Sequence, residues 1–133
     1  MSIDDDLFHA ALSLLRDRFG DEAWSGAAAV RLEDGTILTS TAPDALNPAV
    51  ELCHETGALC EAFKLGGTVI ESICVVQPTP GAFRVLAPCG VCQERLFLYG
   101  PTVRAGVPVP DGGWTLVALS ELQPHHWRRG LPD

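Results

Sequence analysis

The chain has 133 residues, 47% of them hydrophobic and 20% charged, which suits a single domain over residues 1–133 with a core large enough to be buried unaided. Seventeen acidic against nine basic residues leave a formal charge of −8, which repels phosphate backbones and anionic membrane surfaces and excludes long nucleic acid as a natural partner. No apolar run approaches the roughly 20 residues that cross a bilayer, and the opening Met1-Ser2-Ile3-Asp4-Asp5-Asp6 lacks the basic region of a secretion signal. The expectation is a soluble protein of the cytoplasm.

In chain order, Asp4 to Phe19 places Leu7, Phe8, Ala11, Leu12, Leu15 and Phe19 at helical spacing, with an acidic first turn and Gly20 as the stop. Ala27 to Leu32 and Thr36 to Thr41 flank Glu33-Asp34-Gly35, an Asp-Gly hairpin signal. Pro43, Asn47 and Pro48 make the next ten residues a loop. Leu52 to Lys64 reads as a helix with Leu52, Leu59 and Phe63 near one face and Gly66-Gly67 as its end. Val69 to Val76 is β-branched and apolar, as a buried central strand requires, and Ala82 to Leu86 is a second short strand after the turn Pro78 to Gly81.

Cys89 to Tyr99 carries Val91, Leu96, Leu98 and Tyr99 as a core-facing stripe and stops at Gly100-Pro101. Val103 to Val107 and Trp114 to Ala118 are later strands, and Ser120 caps a terminal turn or short helix. Strands preceding helices repeatedly predict an α/β fold, a three-layer α/β/α sandwich with a mixed central sheet.

Five cysteines are an odd number in a domain that can do without disulfides, so the thiols serve packing, metal binding or catalysis. Cys60 and Cys74 read as small core residues. The chemistry concentrates in Cys53-His54-Glu55 and Pro88-Cys89-Gly90-Val91-Cys92, each at an expected helix start. There the helix dipole and free amides favour the thiolate that binds metal. Zn²⁺ takes thiolates tetrahedrally, and three protein ligands leave its fourth position for water. A carboxylate two residues from a ligand, as Glu55 is from Cys53, is placed for general acid/base work. Two other readings stay open: a redox Cys-x-x-Cys, and a closed structural zinc site with His54 or Cys60 as the fourth ligand.

Cys-x-Glu followed by Pro-Cys-x-x-Cys is the zinc-deaminase arrangement. On these motifs the stretch from Ala27 to Leu98 resembles the cytidine deaminase superfamily and, within it, the small three-cysteine enzymes that act on cytidine or blasticidin S, with a weaker echo at Leu122-Gln123-Pro124. The resemblance implies Cys53, Cys89 and Cys92 as ligands of one zinc per chain and Glu55 as proton shuttle. It also implies backbone near Cys53 and Pro88 against an aminopyrimidine ring. In that family zinc-bound hydroxide attacks the amino-bearing ring carbon and ammonia leaves, and the chains assemble as homotetramers, with a dimer as the smaller possibility.

Where the family carries Phe-x-Val-Gly-Ala, this chain has Trp24-Ser25-Gly26-Ala27-Ala28. Where it carries a ribose-binding Asn-x-Glu, Thr39-Ser40-Thr41-Ala42-Pro43 stands, and arginines after the catalytic glutamate and after the last cysteine are Thr56 and Gln93. Three thiolates leave the zinc centre at a formal −1, so Arg95, Arg84 and His54 become candidates to offset it. His54 is also a pocket candidate. Trp24 lines the pocket or packs the core, and Phe83 packs the core. His9 reads as solvated, and His125 and His126 as surface or as a substrate cover. The leading function is deamination of a cytidine- or deoxycytidine-like nucleoside. The alternatives are deamination of blasticidin S or another small aminated heterocycle, and a non-catalytic zinc-stabilised binding protein.

Overall fold

A computed structural model describes residues 3–132, with only the backbone path for Ile3 to Asp5. Met1, Ser2 and Asp133, and the acidic side chains of Asp4 and Asp5 expected to open the first helix, lie outside that description. Helix α1 (Ile3–Phe19) presents Leu7, Ala11 and Leu15 as a stripe, each at 0% exposure. Fully burying a leucine contributes about 1.5–3 kcal/mol, so this stripe accounts for much of the helix's attachment. Strands β1 (Ser25–Leu32) and β2 (Ile37–Ser40) form the antiparallel hairpin read from Asp34-Gly35. At its turn Gly35 adopts φ +93° and Asp34 accepts from the Thr36 amide at 2.9 Å.

The later elements are α2 (Thr56–Leu65), β3 (Val69–Thr79), β4 (Ala82–Leu86), α3 (Gly90–Leu96), β5 (Arg104–Pro108), β6 (Trp114–Ala118) and α4 (Leu119–Leu122). The sheet order is β2-β1-β3-β5-β6, with β4 also paired to β3. β3 is central and almost wholly buried, as its sequence requires. It runs antiparallel to β1 and β4 and parallel to β5, so the sheet is mixed. On one face α1 packs on Ala27, Ala29, Ile73, Val75 and Val85. On the other, Ala58, Leu59 and Ala62 of α2 and Leu96 of α3 meet Val30, Leu32 and Val69. This is the expected three-layer sandwich.

Several boundaries differ, each for a local reason. Helix α2 starts at Thr56 rather than Leu52, because the Ser40 hydroxyl takes the His54 carbonyl at 2.5 Å and the first helical carbonyl is that of Glu55. Cys53 and His54 therefore sit in a turn, with Glu55 as the helix cap. β3 continues through Pro78 to Thr79, where its register with β4 shifts between Val76 and Thr79, a bulge that tolerates proline. Cys60 is exposed where a core position was expected, one residue around the helix from buried Leu59. Phe63 and Leu98, both 81% exposed, and Val91 likewise leave the core to Leu59 and Leu96. Cys74 is buried, Phe83 packs under α1, and His9 is exposed, as expected.

Candidate metal centre and active site

Two interruptions of regular structure bring the cysteines together. Cys53 ends the loop before α2, Cys89 caps α3 in extended conformation, and Cys92 lies one turn into α3. Their three sulfurs lie within 4.8 Å of one another, with Cys53 and Cys89 at 3.4 Å. Tetrahedral zinc with bonds of about 2.3 Å needs sulfurs about 3.8 Å apart, so the donor set fits that ion in spacing and chemistry. Among the described residues neither His54 nor Cys60 joins the cluster, which removes the support for a four-ligand closed site.

The thiols differ electrostatically. Burial, then the Cys89 thiol, pushes Cys53 above the ordinary thiol range. Cys92, fully buried, is pushed up by burial and by the Glu55 charge. Burial also presses on Cys89, but the Cys92 amide, the Cys53 thiol and the Val91 amide outweigh it and draw Cys89 below that range. Glu55 itself is only 4% exposed, and among the described residues its carboxylate has no hydrogen-bond partner. A buried carboxylate whose charge reaches the Cys53 and Cys92 thiols, and which makes no structural bond, is available for proton transfer.

His54 and Trp24 share a cleft of about 430 Å³, lined also by Arg18, Gly26, Pro43 and Asp44. Trp24 is 74% exposed and adopts φ +63°, a left-handed conformation unusual for a bulky residue. Its amide donates to the Gln77 carbonyl at 2.6 Å. Fully buried Gln77 donates its side-chain amide to the carbonyls of Gly20 and Glu22 and to Ser25 Oγ, and accepts from the Gly81 amide. Gln77 thus braces the Trp24 loop from behind. Its signal in the sequence is a lone carboxamide ending the apolar run of β3.

The His54 ring lies over Gly26, while Thr41 Oγ1 donates to the Gly26 carbonyl at 2.6 Å and lies 3.4 Å from His54 Nδ1. A Cβ on Gly26 would come within 2.6 Å of His54 Nε2 and 3.1 Å of Val76. Glycine at that strand position therefore goes with histidine at 54. Gly26→Val is expected to destabilise the fold by about 1–3 kcal/mol through overpacking. Adding His54→Ala should recover most of that loss in urea denaturation, and strict additivity of the two changes would refute the pairing.

Pro88 is buried and does not line the Trp24 cleft. Its carbonyl accepts from Gln93 Nε2 at 2.8 Å, and Gln93 Oε1 accepts from Gln123 at 2.6 Å, so the C-terminal segment steadies the Cys89 loop. Beyond it His126 is buried, stacked on Phe97 with centroids 3.7 Å apart and bonded to Glu94 at 2.8 Å. Trp127 and His126 hold the exposed Glu94 carboxyl below the usual range. His126 is thus a packing residue, whereas His125 is exposed. Arg84 turns to the Phe83 carbonyl, and Arg95 reaches Thr56 across the α2–α3 gap.

Fold and site together define an α/β sandwich with a three-thiol centre and a carboxylate beside it. No family model matches the chain. It is similar to the cytidine deaminase from Bacillus anthracis, 44% identical with a TM-score of 0.92, over 97% of this chain and 92% of that one. It is also similar to the blasticidin-S deaminase of Bacillus cereus, 24% identical over 129 residues, 93% of this chain and 91% of that protein. The cytidine deaminase from Mycobacterium leprae, 20% identical with a TM-score of 0.72 over 94% of this chain and all of that one, shares the fold. The chain belongs to the cytidine deaminase family. Among the described residues no helix is long and apolar enough to cross a membrane.

Proposed function

We propose that this chain is a hydrolytic deaminase of an aminopyrimidine nucleoside resembling cytidine or deoxycytidine, with one zinc held by Cys53, Cys89 and Cys92. The observation that carries this reading is the convergence of the three sulfurs within 4.8 Å beside buried Glu55. When bound, the ion supplies Lewis acidity that makes a water nucleophilic near neutral pH. Glu55 would accept one proton from the attacking water and return it to the ring nitrogen as the water oxygen bonds to the amino-bearing carbon. A second proton then passes to the amino group, the C–N bond breaks and a C=O forms, so that water is consumed and ammonia released. His54 and Trp24 bind the substrate along the cleft, and Pro88 holds the backbone that faces the ring. The five free thiols suit a reducing cytoplasm.

A second substrate, blasticidin S or another aminated heterocycle, is favoured by the rim. Ala42 and Pro43 offer no side-chain hydrogen bond to a ribose, while Arg18 and Asp44 present charge. The deciding experiment is ammonia release by metal-quantified protein from cytidine, deoxycytidine, blasticidin S and related aminoheterocycles. Turnover of any of them with one zinc per chain supports the reading and names the substrate. Absence of zinc refutes it, and full zinc without turnover on the whole panel favours the non-catalytic binding protein.

Identical chains assemble, in this proposal, through the apolar face between α2 and α3, where Phe63, Val91 and Leu98 are exposed. Surface of that kind is covered in stable proteins. Light scattering should give a tetramer, or a dimer, of the 14.2 kDa chain. Phe63→Glu with Leu98→Glu should yield monomers, and a monomeric parent protein would refute the interface.

A further inference from the structure

Three thiolates around a divalent ion leave a net −1, and the Glu55 carboxylate stands beside them, so the centre needs a nearby cation to keep its Lewis acidity. Beside the cluster, Thr56 and Gln93 are uncharged, and both side chains are engaged. Gln93 spans the Pro88 carbonyl and Gln123. Thr56 Oγ1 accepts from Arg95 Nη1 at 2.9 Å, and the same Nη1 lies 4.0 Å from Cys92 Sγ.

Arg95 sits three residues beyond Cys92, one turn along α3, where a long side chain can lie back over the sulfur. It is half-buried, and Thr56 fixes its guanidinium, so little further ordering is needed for it to act on the sulfur. The other two candidates point elsewhere, Arg84 to the Phe83 carbonyl and His54 toward Thr41.

We propose that Arg95 is the positioning cation of this centre, lying against Cys92 from one turn past the last ligand and anchored by Thr56 on the helix that Glu55 caps. It draws charge from the sulfur and thereby keeps an ion held there electrophilic. The inference rests on the three thiols holding a divalent ion, as proposed above. It adds that the compensating charge comes from one guanidinium reaching the cluster from α3, with the Thr56 hydroxyl as its anchor.

The test uses full-length protein loaded with cobalt(II) or with zinc, as wild type, Arg95→Gln, Arg95→Lys, and Arg95→Gln combined with Thr56→Arg. Removing the cation makes the sulfur electrons easier to withdraw, so the sulfur-to-cobalt charge-transfer bands of Arg95→Gln should move to longer wavelength. In the zinc protein kcat should fall about 10- to 100-fold, the usual cost of losing a group that supports a metal ligand, with little change in KM. Arg95→Lys should keep the bands near their original position, and Thr56→Arg should restore both bands and kcat to the Gln variant.

Unmoved bands in a folded Arg95→Gln protein would overturn the proposal, as would a kcat loss that neither the lysine nor the relocated arginine relieves. Wild-type protein with no sulfur-to-cobalt bands would overturn the metal reading and this inference with it. A wild type that shows the bands and deaminates, beside an Arg95→Gln protein identical in both respects, would overturn this inference alone.

Discussion

Glu55→Gln protein is expected to fold, to hold its zinc and to lose about 10²- to 10⁴-fold in kcat, the usual contribution of a positioned proton-transfer group. The contrast follows from what the carboxylate touches. It has no hydrogen-bond partner among the described residues and makes no side-chain cap to α2, so an isosteric amide breaks no structural bond. Nor is it one of the clustered donors, so the metal stoichiometry should hold. An amide, however, cannot accept and release a proton near neutral pH. Ammonia release, metal content and thermal unfolding measured on the same preparation separate these effects. Retained turnover would remove Glu55 from the reaction, and lost zinc would make it a ligand or a support for one.

Glu71→Leu should cost the fold about 2–3 kcal/mol, the range for losing a buried hydrogen bond to a charged group, which is a large part of a typical domain's stability. Glu71 is 3% exposed on the central strand, and register places it opposite Arg31 of β1 and Arg104 of β5. Its two oxygens bind both arginines, Arg31 Nε at 2.9 Å and Arg104 from the other side. Arg31 is itself buried at 8% exposure, so leucine at 71 takes the carboxylate away from a guanidinium deep in the sheet. Arg104 is half-exposed and keeps contact with water. Arg104→Ala should therefore cost no more than about 1 kcal/mol. Urea denaturation midpoints measure both, and equal losses would show that the triad is not buried asymmetrically.

Periodicity and turn chemistry made most of the architecture legible, because α1, the Asp34-Gly35 hairpin and the buried β3 each follow from local rules that tertiary packing reinforced. The proposed ligand set and Glu55 stood out for another reason: short spacings bind them to two chain segments, and the fold brings the three sulfurs within 4.8 Å of one another. What escaped depends on distant partners. Phe63, Val91 and Leu98 have the apolar character of core residues, yet a helix cannot signal whether its second face meets the sheet or another surface. The start of α2 is set by the Ser40 hydroxyl, which binds the His54 carbonyl fourteen residues further on. Glu71 is a polar residue within the strand read as apolar from Val69 to Val76, and Gln77 lies just beyond that reading; their roles appear only when the neighbouring strands and loops are in place. The choice among His54, Arg84 and Arg95 likewise required knowing where each long side chain points.

In the proposed deaminase the reacting groups stand at the starts of α2 and α3, whereas the proposed substrate cleft is built from the Trp24 turn and the 42–44 segment and is braced from behind by Gln77. Inheritance can act on these parts separately. Substitutions at 18, 24 or 44 would redraw which molecule is admitted without moving a sulfur or the carboxylate, so a lineage can shift its diet among aminated rings while transmitting the same reaction unchanged.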